Sequence, residues 1–143
     1  MGIIIGETAV DIRIEEHMKY IGGYVVALDM TDMSQVKPST PWLFAKSFDT
    51  SCPVGTFIPK SEIPNPMDVD LWLKVNGKTV QEGNTRDMFY NIGELMSITS
   101  KVVTLERGDL LLTGTPPGNG PVKSGDVLEG GLANIASITF EVE

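Results

Sequence analysis

Hydrophobic positions in this chain fall in short runs whose spacing changes several times. "GIIIG", residues 2–6, is an unbroken run of β-branched residues between glycines, the pattern of a strand buried on both faces. "DIRIEEHMKYI", Asp11 to Ile21, sets Ile14, Met18 and Ile21 at helical spacing with acids in its early turns. A short amphipathic helix is expected there, stopped by Gly22 and Gly23. "YVVALDMT" then reads as an apolar strand carrying one acid, Asp29, at its far end. Residues 32–59 hold four prolines and no sustained period, which predicts a long ordered loop with short extended pieces.

The pattern sharpens in the second half. "LWLKVNGKTVQEG" alternates around Asn76-Gly77, the strongest short signal for a type I′ hairpin. "NIGELMSITSKVVTL" offers Asn91 as N-cap and Glu94 three residues on, a capping-box spacing, with Ile92, Leu95, Met96 and Thr99 on one face. A strand is expected from Leu110 to Thr113, then the Gly/Pro loop "TGTPPGNGP", and two closing strands in "GDVLEGG" and "NIASITFEVE". Strands outnumber helices and the connections are short. The expected class is a β-rich α+β domain with antiparallel or mixed pairing, one unit over residues 1–143.

Composition narrows the partners. Eleven Lys and Arg against 19 Asp and Glu give a net charge of −8, which disfavours nucleic acid and anionic membrane surfaces. No apolar run approaches the ~20 residues of a membrane span. Cys52 is the only cysteine, so no internal disulfide can form and a reducing compartment is expected. The first residues carry no targeting pattern.

Few residues invite chemistry. The loop "TGTPPGNGP" lacks the Gly-Lys-Ser/Thr of a P-loop and contains no G-x-G-x-x-G, so a nucleotide site is disfavoured. It does present Thr115 at a strand end, where the alternatives are a ligand-facing hydroxyl and an ordinary turn. Asp29 ends an apolar run, and a lone carboxylate there must be exposed, paired with a base or bound to a metal. Lys46, in "FAKSF", has apolar neighbours and needs an anionic partner, either a structural carboxylate or an acidic substrate. His17 reads as a solvated surface histidine, Cys52 as a small core residue, and Trp42 and Trp72 as packing residues.

Taken together, "GGYVVALDMT", "PWLFAKSFDTSCPVG", "LWLKVNGKTVQEGNT" and "LERGDLLLTGTPPGNGPVKSGD" resemble the fumarylacetoacetate hydrolase family over nearly the whole chain. The resemblance implies a mixed β-roll, a homodimer, a Mg²⁺ or Mn²⁺ ion, and a short keto acid as substrate. The implied activity is cleavage of a C–C bond, as in acylpyruvate hydrolysis or oxaloacetate decarboxylation, in the cytoplasm or the mitochondrion. It implies Asp29 as a metal carboxylate, Lys46 as the cation facing the developing negative charge, and Thr115 on the substrate carboxylate with Gly114 allowing close approach. Gln35 matches a substrate-side glutamine.

Three departures accompany it. "DMTDMSQ" lacks the arginine that the family places after its metal aspartate, and the stretch from Asp29 to Lys46 is shorter. The family also carries Glu-x-Glu, its other metal ligands, just before the strand matching "GIIIG", and a helix with a His and a Glu earlier still. Met1 takes the position after the second glutamate. The expectation is an N-terminally truncated catalytic domain that binds metal weakly and whose turnover is weak or absent, with an inactive binding or dimerisation module as the alternative.

Overall fold

The computed structural model describes residues 1–143. Its strands are β1 (Gly2–Ile5), β2 (Ile21–Val25), β3 (Ile58–Pro59), β4 (Asp70–Val75), β5 (Lys78–Asn84), β6 (Leu110–Leu112), β7 (Val127–Leu132) and β8 (Ala136–Glu141). They form two four-stranded sheets, ordered β3-β2-β1-β6 and β5-β4-β7-β8. The fold is thus the expected β-rich α+β class, and of the two pairings left open the antiparallel one is observed in every pair. One apolar cluster runs through both sheets, joining Ile3, Ile5, Ile21 and Tyr24 to Leu132 and Ile138. Each such side chain removed from water contributes roughly 1.5–3 kcal/mol.

The expected helix over residues 11–21 is much shorter. Asp11 sits at φ 49°, a left-handed conformation that a helix cannot continue through. Only a 3-10 turn, Ile14–Glu16, and the single-turn α1 (His17–Tyr20) form, and Ile21 already belongs to β2. Gly22 and Gly23 do not stop a helix but lie inside that strand. Between Ile4 and Ile5 the register slips by one residue, from Ile4 opposite Gly23 to Ile5 opposite Ile21. Gly22 is the residue left over, and a Cβ there would press on the Gly6 backbone.

The remaining helices are α2 (Leu43–Lys46) and α3 (Ile92–Ser100). Asn91 caps α3 as expected: its Oδ1 accepts from Glu94 N at 2.9 Å, while Glu94 Oε2 accepts from Asn91 N at 2.8 Å. The buried face is rotated from the expected one and comprises Ile92, Gly93, Met96, Ser97 and Ser100. Hydropathy missed the serines because Ser100 serves the backbone, its Oγ accepting from the buried Ile12 N at 2.9 Å. Gly93 is small because α1 crosses there, and a Cβ would stand 2.9 Å from His17 Nδ1. His17 is therefore half-buried rather than solvated, with Nδ1 2.6 Å from the Ile14 carbonyl.

The hairpin closes as expected, with Asn76 at φ 51° and Gly77 at φ 76°. Asn76 also ties the turn to the next strand: its Nδ2 donates to Asp126 Oδ1 and its Oδ1 accepts from Val127 N, each at 2.9 Å. Two residues beyond the turn the alternation breaks. Lys74 is opposite Thr79, but Leu73 is opposite Gln81, so Val80 is a bulge residue.

Candidate functional site

The bulge decides which way Gln81 faces. Regular pairing from the Asn76-Gly77 turn would set Val80 across from Leu73 and turn Gln81 to the opposite face. With Val80 extruded, Gln81 shares a face with Leu71 and Leu73, and it is buried. The loop following β6 lies against this face. Pro116 packs on Gly83, where a Cβ would be 2.7 Å from the Pro116 Cβ. Gly118, at φ 103°, brings its backbone so close to the Val80 carbonyl that any Cβ would fall on that oxygen. The start of the loop is fixed by Thr113, whose N and Oγ1 both donate to the Met1 carbonyl, at 3.1 and 2.9 Å.

Between the two sheets this leaves a cleft of about 60 Å³, where roughly 10–15 Å³ admits one water. Gly114, Thr115 and Pro116 form one side, Leu73 and Gln81 another, and Leu28 a third. Thr115 is solvent-exposed, and its Oγ1 accepts from Gln81 Nε2 at 2.9 Å. The same nitrogen donates to the Pro116 carbonyl at 2.6 Å. Gln81 is the polar residue that sequence reasoning missed: an amide on an alternating strand reads as solvent-facing unless the bulge is known. Met1 lines the cleft too.

A different kind of chain positions Asp29 and Lys46. After β2 the backbone runs beside residues 51–55 as a loose ribbon, with Leu28 N donating to Pro53 O at 3.0 Å and Met30 N to Ser51 O at 2.9 Å. Lys46 ends α2, whose Ala45 is buried and accepts from Asp32 N at 2.9 Å. Ser51 Oγ donates to the Lys46 carbonyl at 2.8 Å. These bonds set Lys46 Nζ 2.8 Å from Asp29 Oδ2. Of the alternatives open to Asp29, the structure shows partial exposure and a basic partner. The side chains remain 51% and 31% exposed.

The predicted residues thus fall into two groups. Asp29 and Lys46 meet each other, Gly114 and Thr115 share the cleft, and Leu28, which lines the cleft, directly precedes Asp29. Gln35 joins neither group by a hydrogen bond. It is exposed at the end of a 3-10 turn, Met33–Gln35, and its Nε2 donates to the adjacent Ser34 Oγ at 3.2 Å. Cys52 is not a core residue but exposed, on the ribbon beside Asp29; partial burial and then the Asp29 charge push its thiol up. Trp42 is also exposed, because α2 is too short to bury more than Ala45. Trp72 does pack, over Gly131, with Nε1 donating to the Ala133 carbonyl at 3.2 Å.

No three His, Cys, Asp or Glu side chains come together in a way that could hold a metal ion. Asp29 is a single carboxylate, already engaged by an ammonium. A Mg²⁺-like cation keeps several waters and is anchored by one or two carboxylates plus substrate oxygens, so one carboxylate already paired with Lys46 does not fit a complete metal centre. No helix is long and apolar enough to cross a membrane.

Comparison with known proteins supplies the context. The mitochondrial oxaloacetate tautomerase of Homo sapiens is 46% identical over 147 residues, covering 100% of this chain and 66% of that protein. The mitochondrial oxaloacetate decarboxylase of Dictyostelium discoideum is 43% identical over 139 residues, covering 94% of this chain and 64% of its own length. The fumarylpyruvate hydrolase of Pseudomonas aeruginosa, solved in complex with Mn²⁺ and pyruvate, superposes with a TM-score of 0.91 at 30% identity, over 98% of this chain and 62% of that one. The chain therefore spans slightly less than two thirds of these relatives. Residues 1–143 match the fumarylacetoacetate (FAA) hydrolase C-terminal family from end to end, and to that family the chain belongs.

Proposed function

We propose that this chain carries the keto-acid-binding part of an enzyme that makes or breaks bonds next to the carbonyl of a short 2-keto acid, by acylpyruvate hydrolysis or oxaloacetate decarboxylation. The carrying observation is that the Leu28 wall of the Thr115 cleft runs directly into Asp29, whose carboxylate holds the partly exposed Lys46 ammonium at 2.8 Å. The relatives' names, tautomerase, decarboxylase and hydrolase, describe reactions that share one electronic demand. Each builds negative charge on the keto oxygen as an enolate, formed by losing a proton, carbon dioxide or an acyl group.

In this reading Thr115 donates to the substrate carboxylate, and Gly114, with no side chain, lets the backbone approach it. Lys46 leaves Asp29 to face the keto oxygen, where a fixed cation acts most strongly on charge that develops during the reaction. Asp29 is one carboxylate for a Mg²⁺ or Mn²⁺ ion, held weakly because it stands alone. Weak or absent turnover by this chain by itself is the corresponding expectation, with residues 1–143 acting as a single catalytic unit.

The test is calorimetric titration of the chain with pyruvate in the presence of Mn²⁺, alongside turnover assays on acetylpyruvate and oxaloacetate. Saturable pyruvate binding that Lys46→Met and Thr115→Val each weaken supports the reading. Binding indifferent to both substitutions overturns the residue assignment. No binding at all leaves the alternative, a binding or dimerisation module.

A further inference from the structure

Gln81 has a property that the site as described does not use. Its amide nitrogen meets two oxygens, Thr115 Oγ1 at 2.9 Å and the Pro116 carbonyl at 2.6 Å. A carbonyl can only accept, so the nitrogen and not the amide oxygen must face Pro116. Both of its hydrogens are then committed, one to each oxygen. A hydroxyl that accepts from Gln81 keeps its own hydrogen free to turn elsewhere. The amide is buried and cannot swing, because the Val80 bulge and the glycines at 83 and 118 clamp strand and loop together.

We propose that Gln81 is a positioning residue that fixes Thr115 as a hydrogen-bond donor, so that the cleft selects an anionic oxygen, the carboxylate of a short keto acid, over a group that must donate. The inference rests on the reading of Thr115 given under Proposed function. A free threonine hydroxyl rotates between donating and accepting, and loses part of its affinity to that freedom. Here the rotor is set before ligand arrives, at the oxygen that the ligand must meet. The bulge explains why a buried amide stands in a strand that otherwise alternates: re-aiming one side chain into a site is a recurrent use of such irregularities.

The experiment follows pyruvate affinity, with Mn²⁺ present, in the parent chain, Gln81→Met, Thr115→Val and the double variant, with melting curves establishing that each folds. Loss of a hydrogen bond to a charged group weakens binding on the order of tenfold or more, which is the effect expected of Thr115→Val. Gln81→Met weakens it less, by about two- to fivefold, since the hydroxyl survives but is no longer oriented. In the Thr115→Val background Gln81→Met then adds nothing, because its effect passes through Thr115. Gln81→Glu supplies a signature that a merely structural role would not. Its carboxylate takes the Thr115 hydrogen at neutral pH and weakens binding, which recovers as acid protonates it.

Additive losses in the double variant, or pH-independent binding by Gln81→Glu, overturn the positioning role while leaving the Thr115 reading intact. An unaffected Thr115→Val variant overturns both. Should the parent chain bind no pyruvate, the substrate reading falls, and the side-chain amide NMR signals of Gln81 decide the geometry. Two exchange-protected protons, one released by Thr115→Val, support the preset donor; unprotected protons overturn it.

Discussion

The two groups of candidate residues are built on different foundations. Thr115 is held by a buried amide and by glycines whose missing side chains let loop and strand touch. Asp29 and Lys46 sit on a hydrogen-bonded ribbon and a single-turn helix, and their side-chain ends are held by each other in contact with water. Exposure continues along that segment, at Met33, Leu43, Phe44, Phe48 and Phe57. One half of the site is thus fixed by packing, the other by a pair of charges in contact with water. Packing stores geometry without reference to ligand, whereas an exposed ion pair can exchange partners at little cost.

Substitutions should separate the halves by size of effect. Leu132→Ala, beneath the cleft in the core, should cost about 2–5 kcal/mol by urea denaturation, while Phe44→Ala on α2 should stay within about 0.5 kcal/mol. A large effect at Phe44 would show that the ribbon half is packed after all. Gly118→Ala should cost about 1–3 kcal/mol, because the positive φ and the Val80 carbonyl leave a methyl no room. Gly120, which meets nothing, is the control, and Gly120→Ala should melt within a degree or two of the parent.

The fixed half has its own flaw. Tyr24 is fully buried, its hydroxyl finds no partner, and burial pushes it up to about 12. Tyr24→Phe should therefore raise stability, by about 1 kcal/mol, in thermal or chemical melts. Lys46→Met should also cost little, since it removes a half-exposed pair worth roughly 0–1 kcal/mol. That difference should shrink further in high salt, and a large loss would mean that the pair is structural rather than exchangeable.

How much of this was legible in the sequence depended on how local the cause was. The Asn76-Gly77 turn and the Asn91 and Glu94 cap are settled within four residues, and both formed as expected. The need of Asp29 and Lys46 for partners was legible from their apolar neighbours, but that each satisfies the other is a property of the folded ribbon. Gly22 and Gly23 misled because a strand that needs close backbone contact and a helix that needs a stop call for the same residue. Gln81 could not be placed, since one extruded valine inverts the parity of every position after it.

The Asn76 clamp, described above as part of the fold, also governs how the protein ages. An asparagine before glycine is prone to attack by the glycine nitrogen on its side-chain carbonyl carbon, expelling ammonia. Here both ends of that side chain are engaged, by Asp126 and by Val127, and the carbon cannot swing toward Gly77 N. Chemical damage must wait for the corner to open, so its rate in storage is a clock for local unfolding rather than for time alone. Each event would also be irreversible, because the ammonia is lost, and once water opens the resulting ring the carboxylate left at position 76 would face that of Asp126 and hinder the corner from closing again.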